Sequence, residues 1–442
     1  MNPRDVARHV LGRVDRGAYA NLALVAELGK AKLADNDAAL VTELVYGVLK
    51  RRSRLDRAVS ALAPRGIDAL DPATRDTLRM AAHQILFLRV PAHASVDDAV
   101  GAIKKARGDK LAGFANALLR RLAREGEPAL PDDKVDLAAY LEVAESCPRW
   151  LVDDALRRLG PAPGRLLVES WNGVAPTWLR VNTERTDRDK LAAALLLERP
   201  RAVLAPSLLA PEALSVMRAG DVFRTESYGR GEFTGQDLGA QLIARLVDPQ
   251  PDERILDACS GVGGKSTHLA ALSHNRAHID AADANERKLD LARDAAHRLG
   301  ADRIRFVSAD LTDAAAPLAP DYDRVLLDAP CSGLGVLRRH PELKWRRTHD
   351  EVKALATLQA QLLAALAPRV RPGGLLVYAV CTFTDEEGPL QIRAFLAAHP
   401  QFAVEPAPPD FAPLAAEEGA IRTWPHRDNA DAFYAMRLRR RE

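Results

Sequence analysis

Over the first 125 residues apolar side chains recur three and four positions apart. Val6, Val10, Leu11 and Val14 share one helical stripe, as do Leu40, Val41, Leu44, Val45, Val48 and Leu49. Ile103, Ala106, Phe114, Leu118 and Leu122 continue the pattern. Breaks at Pro64-Arg65-Gly66 and Gly126-Glu127-Pro128 punctuate an all-helical segment. Residues 128–170 read as a linker and further helices, ending in the Pro/Gly-rich stretch Gly160–Gly164. Trp178–Thr183 then reads as a strand and Arg188–Leu197 as a helix, within a small α+β module reaching about Gly231. From Phe233 short apolar strands (Arg254–Ala258, His278–Ala282, Arg303–Val307, Arg324–Leu327, Leu375–Val380) alternate with helical stretches such as Glu286–Leu299 and Asp350–Leu366. That alternation predicts a parallel, doubly wound α/β sheet covered on both faces. The expected division is a helical domain at 1–127, a linker and small module at 128–232, and a Rossmann-like domain at 233–442.

Composition changes this picture little, but charge does. The chain of 442 residues carries a net charge of +2, yet residues 1–126 hold 22 Lys and Arg against 14 Asp and Glu. A basic N-terminal third on a mildly acidic body fits a nucleic-acid-docking module, although solvated helix faces carry such charge too. No apolar run approaches the roughly 18–20 residues of a membrane span, and Met1–Val14 lacks a signal-peptide core. The four cysteines (Cys147, Cys259, Cys331, Cys381) have no metal-ligand spacing, so no metal site and no disulfide framework is expected. A reducing cytoplasm and a monomer follow as expectations.

Chemistry concentrates at strand ends. Ile255-Leu256-Asp257-Ala258 runs into Cys259-Ser260-Gly261-Val262-Gly263-Gly264-Lys265 and a helix beginning near Ser266. Glycines let backbone N–H groups approach a ligand closely, and the helix N-terminus adds positive potential. A phosphate-binding P-loop would need Gly where Cys259 stands, which argues against an NTPase. Asp283 ends the next strand, 20 residues after Gly263, where an acid can accept hydrogen bonds from both ribose hydroxyls of a nucleoside. Asp283 read alone is equally a helix-start acid, and Asp310 read alone is a loop cap. Leu327-Asp328-Ala329-Pro330-Cys331 then holds an acid and a thiol three residues apart, and Val380-Cys381 ends the following strand with a second thiol. Adjacent strands lie about 5 Å apart, so the two thiols can face one pocket. A lone Cys is usually a small buried hydrophobe; a pair at equivalent strand ends is not so easily dismissed.

Together these residues resemble the RNA cytosine-5 methyltransferase family. The resemblance implies S-adenosylmethionine as cofactor, held by Cys259, Ser260, Gly261, Val262, Gly263, Gly264, Lys265, Asp283, Asp310 and Asp328. It implies Cys381 as the nucleophile, Cys331 as the thiol assisting release, and Asp328 as a contact to the cytosine. Lys265 is a candidate for lowering the attacking thiol's pKa. Gly235-Gln236-Asp237, Gln241 and Trp345 also match. Ala20-Asn21-Leu22, Glu43–Lys50, Pro91–Val100 and Gly113–Arg120 resemble the helical RNA-binding fold of NusB-type antitermination factors. With that domain added, the implied partner is 16S ribosomal RNA. The family's cofactor loop usually reads Cys-Ala-Ala-Pro-Gly-Gly-Lys, so Ser260-Gly261-Val262 is a departure expected to loosen the loop; Val380 and Gly388 also depart. The competing reading is a non-catalytic RNA-binding or antitermination-type factor with a methyltransferase-like body. His83, His93 and His340 read as ordinary residues, and Arg437–Arg441 as a solvated tail.

Overall fold

The computed structural model describes residues 2–313 and 315–442. The chain divides into two compact units, Met1–Gly173 with Leu337–Arg346, and Val174–Val336 with Arg347–Glu442. The first is helical. Val6, Val10, Leu44, Val45, Val48, Leu118 and Leu122 lie in its core, as their spacing predicts, joined there by Leu78, whereas Ala106 faces solvent. The helices Leu137–Ala144, Arg149–Leu159 and Pro161–Ser170 belong to this unit too. They are tied in by Lys50 Nζ donating to Gly173 O (2.7 Å), Ser53 N to Ser146 Oγ (2.8 Å) and the Arg54–Glu127 ion pair (2.6 Å). By its contacts the chain thus divides after Gly173, inside the expected 128–232 segment. Gly160–Gly164 is the start of a helix: Pro161 occupies its first turn, where no N–H is needed. A Cβ on Gly164 would lie 2.9 Å from Ala155 O, so glycine lets the two helices pack closely.

The second unit holds two sheets. A four-stranded antiparallel sheet, ordered β2-β3-β1-β4, comprises β1 (Thr177–Val181), β2 (Val203–Pro206), β3 (Ala213–Met217) and β4 (Phe233–Gly235). The larger sheet comprises β5 (Arg254–Ala258), β6 (His278–Asp283), β7 (Ile304–Ser308), β8 (Tyr322–Asp328) and β9 (Val370–Val380), with β10 (Phe402–Glu405), β11 (Ile421–Thr423) and β12 (Phe433–Arg440). Its order is β10-β12-β9-β8-β5-β6-β7, with β11 beside β12. β7, β6, β5, β8 and β9 run parallel; β12 is antiparallel to β9, and β10 is antiparallel to β12. The sheet is therefore mixed, not wholly parallel. The order in which strands are added reverses between β5 and β8, the switch point at which such folds bind ligands beyond the carboxyl ends of their strands.

The antiparallel edge corrects the reading of the C-terminus. Arg437 and Arg439 are not a solvated tail: they lie in β12, and both guanidinium groups pair with Glu405 of β10. Leu376 and Val377 of β9 face Leu438 and Arg437 across the ladder. Among the described residues no helix is long and apolar enough to cross a membrane.

Candidate active site at the carboxyl ends of the strands

β5 is central, and after the exposed Arg254 its residues Ile255, Leu256, Asp257 and Ala258 are all buried, apolar except for Asp257. It delivers the chain into a turn in which Cys259, Gly261 and Gly263 all take positive φ (61°, 58° and 76°). Two of those conformations suit glycine, and Cys259 carries the strain of the third. A Cβ on Gly263 would come within 2.8 Å of Ala292 Cβ, while one on Gly261 would meet nothing within 4 Å. The turn is pinned by Ser260 N to Ala282 O (2.8 Å), Gly261 N to Asp283 Oδ2 (3.0 Å) and Gly263 N to Ser260 O (3.0 Å). The helix Gly264–Leu272 starts two residues earlier than its sequence predicts, and its N-cap, Gly263, supplies no side-chain cap. Its first N–H groups are thus left for a ligand.

Asp283 ends β6 and is nearly buried; Oδ1 accepts from Asn285 N (2.8 Å) and Oδ2 from Gly261 N (3.0 Å). Each oxygen retains a lone pair for a further donor. Asp310 lies two residues past β7 on an exposed turn, where it caps Thr312 N (2.9 Å) and Oγ1 (2.7 Å). Among the described residues its carboxylate is hydrogen-bonded to Thr312 and to none of the other candidates. Cys259 is flanked by acids, and burial together with Asp283, Asp328 and Asp257 pushes its thiol up to about 12. That keeps it a neutral thiol.

The two remaining thiols meet. Cys331 Sγ and Cys381 Sγ are 3.2 Å apart, on the turn after β8 and at the end of β9. Contact with the Cys381 sulfur, then burial, then the charges of Glu387 and Asp328 raise the Cys331 pKa well above the ordinary thiol value. Lys265 forms an ion pair with Asp328 and lies 5.5 Å from the centre of the Phe433 ring. Burial opposes its charge, but Asp328, Asp257 and Cys381 outweigh burial and raise its pKa. Part of its positive charge is thereby spent on Asp328 rather than on a thiolate.

Arg180 and Glu387 escaped the sequence reading, whereas Gln236, Asp237, Gln241 and Trp345 appeared there without a stated role. Arg180 of β1, fully buried, donates to Gln236 Oε1 (2.7 Å), Gly264 O (2.5 Å) and Thr267 Oγ1 (2.9 Å), and so fixes the helix that begins at Gly264. Gln241 donates to Gln236 O (2.9 Å), and Asp237 caps the helix Leu238–Val247. Glu387, wholly buried, accepts from Ser332 N (2.7 Å), Ser332 Oγ (2.6 Å), Gln359 Nε2 (3.0 Å) and Thr384 Oγ1 (2.9 Å). The only hint of it in the sequence is the acidic run Asp385-Glu386-Glu387 just past Cys381. Trp345 belongs to the helical unit, within the four-residue helix Leu343–Arg346. A separate cleft of about 710 Å³, lined by Arg254, His278 and Tyr322, opens at the amino ends of the strands, away from these groups.

Residues 244–439 match the family model described as 16S rRNA methyltransferase RsmB/F. Residues 1–124 match the NusB family, and residues 147–223 the ferredoxin-like domain of RsmF/B-like methyltransferases. The chain is 32% identical to the probable ribosomal RNA small subunit methyltransferase B of Bacillus subtilis (strain 168), over 99% of this chain and 98% of that one. It is 34% identical to ribosomal RNA small subunit methyltransferase B of Vibrio cholerae, over 95% of each. Among solved structures, PH0851 superposes with a TM-score of 0.86 at 25% identity, over 99% of each chain. NSun6 from Pyrococcus horikoshii with SFG superposes with a TM-score of 0.60 at 21% identity, over 67% of this chain and 98% of that one, a likeness of fold.

Proposed function

Because the chain belongs to the RsmB/F family of 16S rRNA methyltransferases, we propose that it methylates carbon 5 of a cytosine in 16S rRNA through a covalent bond from Cys381 to carbon 6. The observation that carries this reading is the 3.2 Å contact between two thiols at neighbouring strand ends, beside the Lys265–Asp328 pair. S-adenosylmethionine is the expected cofactor, and the residues fit it. The uncapped helix start at Gly263, the open left-handed Gly261 and the spare lone pairs of Asp283 offer donors and acceptors to a nucleoside. Cys259 to Lys265, Asp283, Asp310 and Asp328 are the residues assigned to hold it. When bound, it supplies an electrophilic methyl group on a sulfonium.

Carbon 5 of cytosine is a weak nucleophile. The Cys381 thiolate adds to carbon 6 and makes carbon 5 an enamine carbon able to take the methyl group. Asp328 accepts a hydrogen bond from the exocyclic amine and holds the ring against the thiolate. Lys265 offsets negative charge at Asp328 and Cys381. Release breaks the bond between carbon 6 and Cys381 and restores the carbon 5–carbon 6 double bond. Cys331, a neutral thiol against the departing sulfur, passes its proton to Cys381 and takes the proton lost from carbon 5. The base must leave its stack to reach this pocket, and the basic helical unit is assigned to docking the RNA.

Nucleoside analysis of 16S rRNA after incubation with enzyme and cofactor tests the reading. The wild type yields 5-methylcytidine, Cys381→Ala yields none, and Cys331→Ala accumulates a protein–RNA adduct. Full activity of Cys381→Ala would sink the mechanism. No calorimetric binding of S-adenosylmethionine would instead favour a non-catalytic RNA-binding role.

A further inference from the structure

The two thiols are anchored differently. Cys381 follows directly on β9, whose last residues are held on both sides, Val380 against Tyr434 of β12 and Ala379 against Asp328 of β8. Its own carbonyl accepts from Gly335 N (2.9 Å). Cys331 instead sits on a turn beyond the end of β8, with no ladder beside it. Buried side chains take the ladder's place. Gln359 Nε2 donates to Pro330 O (2.9 Å), on one side of Cys331, and Glu387 Oε1 accepts from Ser332 N (2.7 Å), on the other. Gln359 and Glu387 are bonded to each other (3.0 Å). The second Glu387 oxygen accepts from Ser332 Oγ and Thr384 Oγ1, and Ser332 Oγ also meets Thr382 Oγ1 (2.9 Å). Tyr378 donates to Glu387 O (2.7 Å), while Arg347 Nε holds Ser332 O (2.7 Å).

We propose that Glu387, acting with Gln359, is the positioning residue for the Cys331 thiol, and that it governs release of the methylated base rather than methyl transfer. Truncating it frees Ser332 N and removes the acceptor that holds the Gln359 amide beside Pro330 O, whereas Cys381 keeps its strand pairing. The inference rests on the release role assigned to Cys331 above.

The two oxygens of Glu387 face different partners, which makes a clean variant available. Oε1 meets two N–H donors, and Oε2 meets two hydroxyls that can turn to accept instead. Glu387→Gln can therefore keep every bond, its amide oxygen on the N–H groups and its NH2 on the hydroxyls. Glu387→Ala keeps none.

The experiment follows full-length enzyme with 16S rRNA and S-adenosylmethionine, measuring single-turnover methyl incorporation, multiple-turnover rate and adduct on denaturing gels. Glu387→Ala should leave single-turnover incorporation within about threefold of wild type, yet cut turnover at least about tenfold, the scale of losing one charge-assisted hydrogen bond. Adduct should accumulate, and Glu387→Gln should restore release. Unchanged turnover in Glu387→Ala would overturn the proposal. So would a parallel fall of both rates without adduct, or failure of Glu387→Gln to rescue while cofactor affinity is intact. Cys331→Ala runs alongside as control. If it gives no adduct, the release role itself fails; if it gives adduct and Glu387→Ala does not, only the role of Glu387 fails.

Discussion

The turns that follow β5 and β8 leave neighbouring strands of one sheet, yet they are built on opposite plans. The Cys259–Gly264 turn gets its shape from left-handed backbone and leaves its polar groups open: an uncapped helix start, and an acid with lone pairs to spare. The Ala329–Gly333 turn has its backbone groups taken by the buried Gln359 and Glu387 and by the half-buried Arg347. A turn that a ligand completes can afford unsatisfied donors, whereas a turn that aims a sulfur has to be satisfied from within. The difference follows from what each turn must hold.

That contrast can be broken from either side. On the cofactor side the effect is expected at Asp283. Asp283→Ala should raise the Kd for S-adenosylmethionine by about 10- to 100-fold, the value of hydrogen bonds to a charged acceptor. Calorimetric titration measures it, and an unchanged Kd would remove the acid from the cofactor site. Next come the glycines. Gly263→Ala forces a Cβ to 2.8 Å from Ala292 in a left-handed conformation, so a loss of about 2–4 kcal/mol is expected. Gly261→Ala meets no neighbour and should lose only the conformational cost, about 1–2 kcal/mol. Denaturant unfolding of the two variants reads the difference; equal losses would mean that packing on Ala292 does not shape the turn.

A further effect concerns pH. Burial, only partly offset by Ser266 and Lys265, pushes Asp257 up to about 7. Between pH about 4 and 7 the folded chain holds this proton and the unfolded chain does not. Stability therefore falls as pH rises through that window, by at most about 1.4 kcal/mol per unit, and stays reduced above it. Asp257→Asn should flatten that slope in unfolding curves taken from pH 4 to 8. An unchanged slope would assign it to other groups.

Much of this was legible in the sequence because it is local. Strand, glycine turn and helix follow one another from Ile255 to Leu272, and the helix Glu286–Leu299 falls where its periodicity put it. The pairing of Cys331 with Cys381 needed only the spacing of adjacent strands. What escaped depends on contacts across the sheet. Arg437 and Arg439 read as a tail because their partner, Glu405, is more than thirty positions away. Glu387 is one acid in a run of three, and nothing local says which of them turns inward. Arg180 looks like an ordinary strand cation until Gly264 O and Thr267 Oγ1 are seen around its guanidinium.

The central claim is that the two touching thiols have separate tasks, with Cys381 alone bonded to the base. Peptide mapping by mass spectrometry of the adduct trapped in Cys331→Ala tests it most directly. The account predicts a methylated cytosine attached to the peptide bearing Cys381. Adduct on any other residue, or a Cys331→Ala enzyme that methylates and releases RNA at the wild-type rate, would contradict it.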